Sequence, residues 1–195
     1  MKKKFFILAV CLFSLLLAAG IAGTEERINL ALNAEVKVST SVEAFGWHAV
    51  YLTNGMREVD EENVIRGWSS AIRYFNPEIA RENSTQWAKI DLGSVHTIAE
   101  VVLCPRPDGS AAGNYFPIDY VIQTAVDPAA WEQENESDDH WTTVVAVTDA
   151  PKPEDGAPVV HTFDPVEARY VRVKATNLRE GGDGFVFQLA ELEVY

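Results

Sequence analysis

Cysteine is nearly absent from this chain, with two in 195 residues. That excludes a disulfide-stapled mini-domain, which needs several pairs. Histidine is scarce as well. His48, His96, His140 and His161 lie far apart, without the short spacing of a zinc site. No Gly-x-Ser-x-Gly, His-Glu-x-x-His, phosphate-cradling glycine loop or dinucleotide fingerprint occurs. Basic residues number 16 against 29 acidic ones, for a formal net charge of −13. Recognition of nucleic-acid phosphates or of anionic lipid needs the opposite balance. Long amphipathic helices are missing too, which sets aside bundles and coiled coils. What remains is an ordinary globular composition, 47% hydrophobic and 23% charged, with length for one domain or at most two small ones.

The N-terminus reads as an address. Met-Lys-Lys-Lys is followed by 18 uncharged residues, FFILAVCLFSLLLAAGIA, which end with small side chains at Ala19, Gly20 and Ala22, ahead of Gly23. A basic start, an apolar run and a small-residue exit describe a secretory signal over residues 1–23. The competing reading is an uncleaved anchor, since the run nearly suffices to span a bilayer. Leu8-Ala9-Val10-Cys11 resembles a lipoprotein signal, but the apolar run continues past Cys11. Cleavage removes three lysines, taking the net charge to −16, and leaves Cys104 as the single cysteine. Cys104 ends the strand-like run VVLC and is expected to be a buried, inert thiol.

From residue 24 onward the pattern is mostly period two. In ARYVRVKA, Val171, Val173 and Ala175 share one face, and Tyr170, Arg172 and Lys174 share the other. Half-buried antiparallel strands alternate this way. Strands are predicted at 35–41, 86–92, 98–104, 118–125, 141–147, 159–163, 168–175 and 187–195, separated by Gly, Pro, Asn and Asp. Short helices are predicted at 49–52 and 128–131. About eight strands with irregular loops predict an all-β, two-sheet sandwich. Neither a linker nor a fixed-period repeat divides residues 24–195, so they are read as one module, expected to be complete.

The ordered motifs then carry a resemblance. Asn29-Leu30-Ala31-Leu32-Asn33 opens the domain, ahead of VKVSTS. Leu52-Thr53-Asn54-Gly55 and Gly67-Trp68-Ser69-Ser70 follow. Next come Gln86-Trp87-Ala88-Lys89-Ile90-Asp91-Leu92-Gly93 and Val101-Val102-Leu103-Cys104-Pro105-Arg106. Phe163, Ala168-Arg169-Tyr170-Val171-Arg172-Val173 and Leu189-Ala190-Glu191-Leu192-Glu193-Val194-Tyr195 close it. The set resembles the discoidin domain, also called coagulation factor 5/8 type C, and within it the bacterial family 32 carbohydrate-binding modules. The resemblance implies a jelly-roll β-sandwich of about eight antiparallel strands, galactose-binding-domain-like, with a sugar site on loops at one end. Its partners would be glycans of a polysaccharide or glycoprotein, galactose-type sugars among them.

Sugars need an aromatic face for their C–H surface and a few polar groups for their hydroxyls. Four loops offer both. The candidate ligand-binding residues are Trp47 and His48, then Arg73 and Tyr74, then Arg106, Asn114 and Phe116, and lastly Phe185. Tyr115 and Phe116 are expected to split, one facing inward and one outward. Trp68 and Trp87 lie in framework motifs and are assigned to the core. The resemblance also implies a structural calcium between the Asp-Gly turn and a late glutamate, here Asn54 and Glu191. Two positions depart from that pattern: Asn54 replaces the aspartate, and Gly67 stands where a hydroxyl residue is usual before Trp68. Calcium takes six to eight oxygens, so an amide and backbone carbonyls can contribute.

A glycosidase could use two carboxylates without any local motif, but its cleft usually needs a longer chain. Adhesion to a protein or cell-surface partner is the other alternative. The sequence is therefore read as a secreted, non-catalytic, lectin-like module.

Overall fold

The computed structural model describes residues 27–195. The segment read as a secretory signal, 1–23, lies outside the described residues. The chain runs β1 (Glu35–Val38), β2 (Trp68–Ser69), β3 (Gln86–Cys104), β4 (Asp119–Ala125), α1 (Pro128–Glu132), β5 (Thr142–Val147), β6 (Val159–Asn177), β7 (Glu180–Gly181), β8 (Gly184–Phe185), β9 (Gln188–Leu189) and β10 (Glu191–Val194). Antiparallel pairing orders the main sheet β1-β3-β6-β4-β5, with β10 also on β3. The expected all-β sandwich is thus observed.

Two long strands build both layers. The segments 86–92 and 98–104, expected to be separate, form one strand, as do 159–163 and 168–175. The β3–β6 ladder changes register between Asp91 and His96 and between Ile98 and Glu100. Irregularities of this kind bend a strand. The bend brings the two limbs face to face: Ala88 and Ile90 from one, and Val101 and Leu103 from the other, enter the same core with Val171, Val173 and Leu192. The last expected strand splits at Ala190 into β9 and β10. Short helices occur where expected, a 3-10 turn at Ala49–Thr53 and α1, whose N-cap Asp127 accepts from Ala129 N–H at 2.9 Å.

The alternating face of β6 is not solvated. Tyr170, Arg172 and Lys174 are all buried, because residues 126–141 lie across them. Lys89 donates to the carbonyls of Ala130, Trp131 and Gln133 at 3.1, 2.6 and 2.5 Å. Arg172 reaches Gln123 at 2.9 Å, Ser137 O at 3.0 Å and Asp138 at 2.6 Å. Its guanidinium also sits 4.5 Å from the Trp141 ring centroid. Buried cations persist when hydrogen-bonded in this way. Trp87 belongs to this outer layer, against Lys89, whereas Trp68 lies in the inner core edge-on to Phe187. Cys104 is a buried free thiol, as expected, and burial pushes its pKa up to about 12.

Candidate functional site

The four loops singled out from the sequence meet at one end of the sandwich. Ala44 and Trp47 bridge each other, and Trp47 also bridges Gly67. Arg73 N–H donates to Asp183 O at 2.8 Å. The Tyr115 hydroxyl donates to Asp183 Oδ2 at 3.1 Å and accepts from Asp183 N–H at 3.2 Å. Arg106 donates from Nη1 to Gln188 Oε1 at 3.1 Å and grips Asp108 with Nε and Nη2, at 2.6 and 2.5 Å. Its guanidinium carbon also lies 5.5 Å from the centroid of the half-buried Trp47 ring. Trp47 and Arg106 are therefore brought together.

The most exposed rings at this end are Tyr74 at 80%, Phe45 at 74% and Phe75 at 41%. Phe45 and Phe75 stack with centroids 5.8 Å apart, and Tyr74 stands edge-on to Phe75 at 5.0 Å. Phe45 holds a left-handed backbone, φ 56°, two residues after Glu43 at φ 52°. Bulky side chains rarely adopt that region, and such positions concentrate at functional loops. The Glu43 carboxylate steadies the turn by accepting from Ser41, from Ala49 N–H at 3.0 Å and from His48 Nδ1 at 3.0 Å. Phe45 was not singled out in the sequence; the Phe-Gly-Trp run beside Trp47 was the available signal.

Arg73 is half-exposed, 3.9 Å from Glu180, and stands beside Tyr74 on the same loop. His48 packs edge-on to Tyr51, so its ring braces the loop as well as facing solvent. Asn114 offers its amide oxygen to Lys152 at 2.9 Å. Phe185 is half-buried against the core. Phe116 requires correction. It is 1% exposed and packs edge-on to Tyr120 in the main core, so its ring does not face the loop-end surface where a sugar would stack. Tyr115 does not face outward either, being buried with φ 60°. The expected split of this pair does not occur.

The Asn54 and Glu191 region can be tested for calcium on its donor set. Glu191 is fully buried, and Oε1 accepts from Gly55 N–H at 2.9 Å. Its Oε2 has no partner among the described residues, and burial pushes the carboxyl up to about 8. A cation would satisfy this orphaned oxygen. Asn54 Oδ1 accepts from Met56 N–H at 2.8 Å and keeps a second lone pair. Among the described residues no group of three His, Cys, Asp or Glu side chains converges, so carbonyl oxygens would complete the shell. Gly67 cannot be replaced by the usual hydroxyl residue, because a Cβ there would lie 2.4 Å from Leu189 O. The residues present fit a calcium held with little ligand charge.

The F5/8 type C domain model matches residues 35–191. No curated protein matches the chain. Among solved structures, chitosan-binding module 1 from a chitosanase/glucanase of Paenibacillus sp. IK-5 is 27% identical, with a TM-score of 0.59. The match covers 87% of this chain and 99% of that one. Module 2 of the same enzyme, solved with chitotriose, is 29% identical over 86% and 99%, with a TM-score of 0.57. The family 32 module of Clostridium perfringens NanJ, solved with galactose, shares the fold at 18% identity, covering 83% and 93%, with a TM-score of 0.56.

Proposed function

The chain belongs to the F5/8 type C domain family, and from that premise we propose that it is a non-catalytic glycan-binding protein working through the loop end of its sandwich. The observation that carries this reading is the exposed ridge of Phe45, Tyr74 and Phe75 beside Arg73 and Asp183. Rings that stand free of the core suit the C–H face of a pyranose, and polar side chains on the loops joined there, Arg73 and Asp183, would serve its hydroxyls. Trp47 and Arg106 form the adjoining wall. Binding without chemistry is supported by how the nearby acids are used. Asp108 is held by Arg106, and Asp183 by Tyr115.

Chitotriose and galactose, bound by the similar modules, set the range of sugars to try. The acidic chain favours neutral or amino sugars over sulfated or sialylated ones, because like charges repel. A single shallow site should bind at about 10⁻⁵ to 10⁻³ M, or roughly −4 to −7 kcal/mol, since little area is buried. Multivalent display would raise that. The basic start and apolar run at the N-terminus support export. A calcium held by Glu191 and Asn54 would staple the loop at Gly55 to β10 and take no part in chemistry.

A glycan array probed with a multimer of the protein tests the reading. Binding to a coherent set of neutral or amino sugars is expected. A blank from folded protein would favour adhesion to a protein partner instead.

A further inference from the structure

A concave site lies apart from the ridge residues, beside the 106–116 loop. The sandwich opens along one side, between β5 and the first residues of β6, into a cavity of about 500 Å³. Phe116, Tyr120, Val147, Val159 and His161 line it. Prolines 151, 153 and 158 lie along the segment that roofs it. This volume falls in the range of small-molecule pockets.

The roof is pinned, so the cavity is preformed. Asp149 N–H donates to Asp119 Oδ1 at 2.8 Å, and Ala150 N–H to Ile118 O at 2.9 Å. Arg179 donates to Ala150 O at 2.9 Å, and Lys152 to Asn114 at 2.9 Å. Gly113 packs so closely on the roof that a Cβ there would lie 2.1 Å from Pro153 O. Four hydrogen bonds and the Gly113 packing contact hold residues 149–153 to their neighbours rather than down into the gap. A ligand would meet an open pocket and spend little on ordering it.

One polar pair faces this mostly apolar space, with Thr148 and Asp149 at its exposed edge. The Tyr120 hydroxyl and His161 Nε2 are 3.0 Å apart, with the rings edge-on at 5.6 Å. Burial raises the phenol pKa to about 12 and lowers that of the imidazole, so both are neutral near pH 7. Two neutral groups share one proton in their mutual hydrogen bond. The pair therefore keeps one spare donor and one spare acceptor, whichever tautomer is present. Asp149 is the one charged side chain on the lining, and it lies at the exposed rim.

We propose that this inter-sheet cavity binds a small, uncharged, mostly apolar ring compound carrying one hydroxyl or carbonyl, anchored by Tyr120 and His161. The lack of a charge inside disfavours ionic ligands, which would be desolvated without a partner. The spare donor and acceptor select a single polar group. The site is independent of the glycan reading, because it shares none of the ridge residues.

Naphthol is a suitable probe, followed by its own fluorescence and by amide shifts of the labelled protein. Saturable binding is expected, with shifts centred on Tyr120, Val147 and His161, and at least fivefold weaker binding of naphthalene. Ala157→Arg changes an exposed residue on the lining, so the fold should survive while naphthol affinity falls at least tenfold. His161→Phe should remove the preference for naphthol over naphthalene, whereas Tyr74→Ala should change nothing. Absence of saturable binding to folded protein overturns the proposal, as does unchanged affinity in Ala157→Arg. Loss of binding in Tyr74→Ala would move the probe to the ridge and overturn it too. A dimer in sedimentation that Ala157→Arg dissociates would make a second copy the occupant, in place of a small molecule.

Discussion

The loop-end ridge and the inter-sheet cavity are both rich in apolar surface, but one is convex and the other concave. On the ridge, Phe45 projects from a left-handed turn and Tyr74 and Phe75 from the neighbouring loop, with polar groups alongside. In the cavity, Phe116 and Tyr120 are core side chains glimpsed from one side, with a single polar pair. A free ring face suits a ligand that stacks; a concave wall suits one that fills it. The proposed sugar site is the ridge because its exposed rings lie on the loops that Arg73 and Asp183 join.

The sharpest separation of the two regions is Phe116→Ala. It removes a ring from the core that floors the cavity, and should cost about 3–5 kcal/mol of stability in chemical denaturation. A change below about 1 kcal/mol would mean that the ring is not packed as described. Next in size is metal removal, which should leave both surfaces intact. Chelation should lower the melting temperature, by an amount worth about 2.7 kcal/mol if free calcium had stood at a hundred times its Kd. Superimposable melting curves, with and without chelator, would remove calcium from Glu191.

On the ridge, Tyr74→Ala combined with Phe75→Ala should weaken glycan binding about ten- to a hundredfold, or roughly 1.4–2.8 kcal/mol. Stability should hardly move, because both rings are exposed. The smallest effect belongs to the cavity. His161 has a folded-state pKa below its ordinary 6.5. The unfolded chain therefore takes up its proton first, and stability should fall as pH drops through 6.5, by at most about 1.4 kcal/mol per pH unit. His161→Phe should flatten that part of the stability profile; an unaltered slope would show that another group titrates there.

The inner core was legible in the sequence because alternation is local. Val171, Val173 and Ala175 face inward as their spacing requires. The other face of the same strand was not legible. Arg172 and Lys174 look solvent-facing by period, and only residues 126–141, distant in sequence, supply the carbonyls and the Asp138 carboxylate that bury them. The loop site was legible as a set of loops but not residue by residue. Tyr115 and Phe116 have no period to sort them, and a left-handed backbone at Tyr115 turns both inward. Phe45 escaped notice for the same kind of reason: its exposure depends on consecutive turns, at Glu43 and Phe45, that composition does not announce.

The central claim is tested most directly by titrating the best sugar from the array into labelled protein and mapping amide shifts. The account predicts that the perturbed amides cluster at Phe45, Arg73, Tyr74, Phe75 and Asp183, and that Tyr74→Ala combined with Phe75→Ala abolishes them. Shifts centred instead on Tyr120, Val147 and His161 would contradict it, placing the sugar between the sheets.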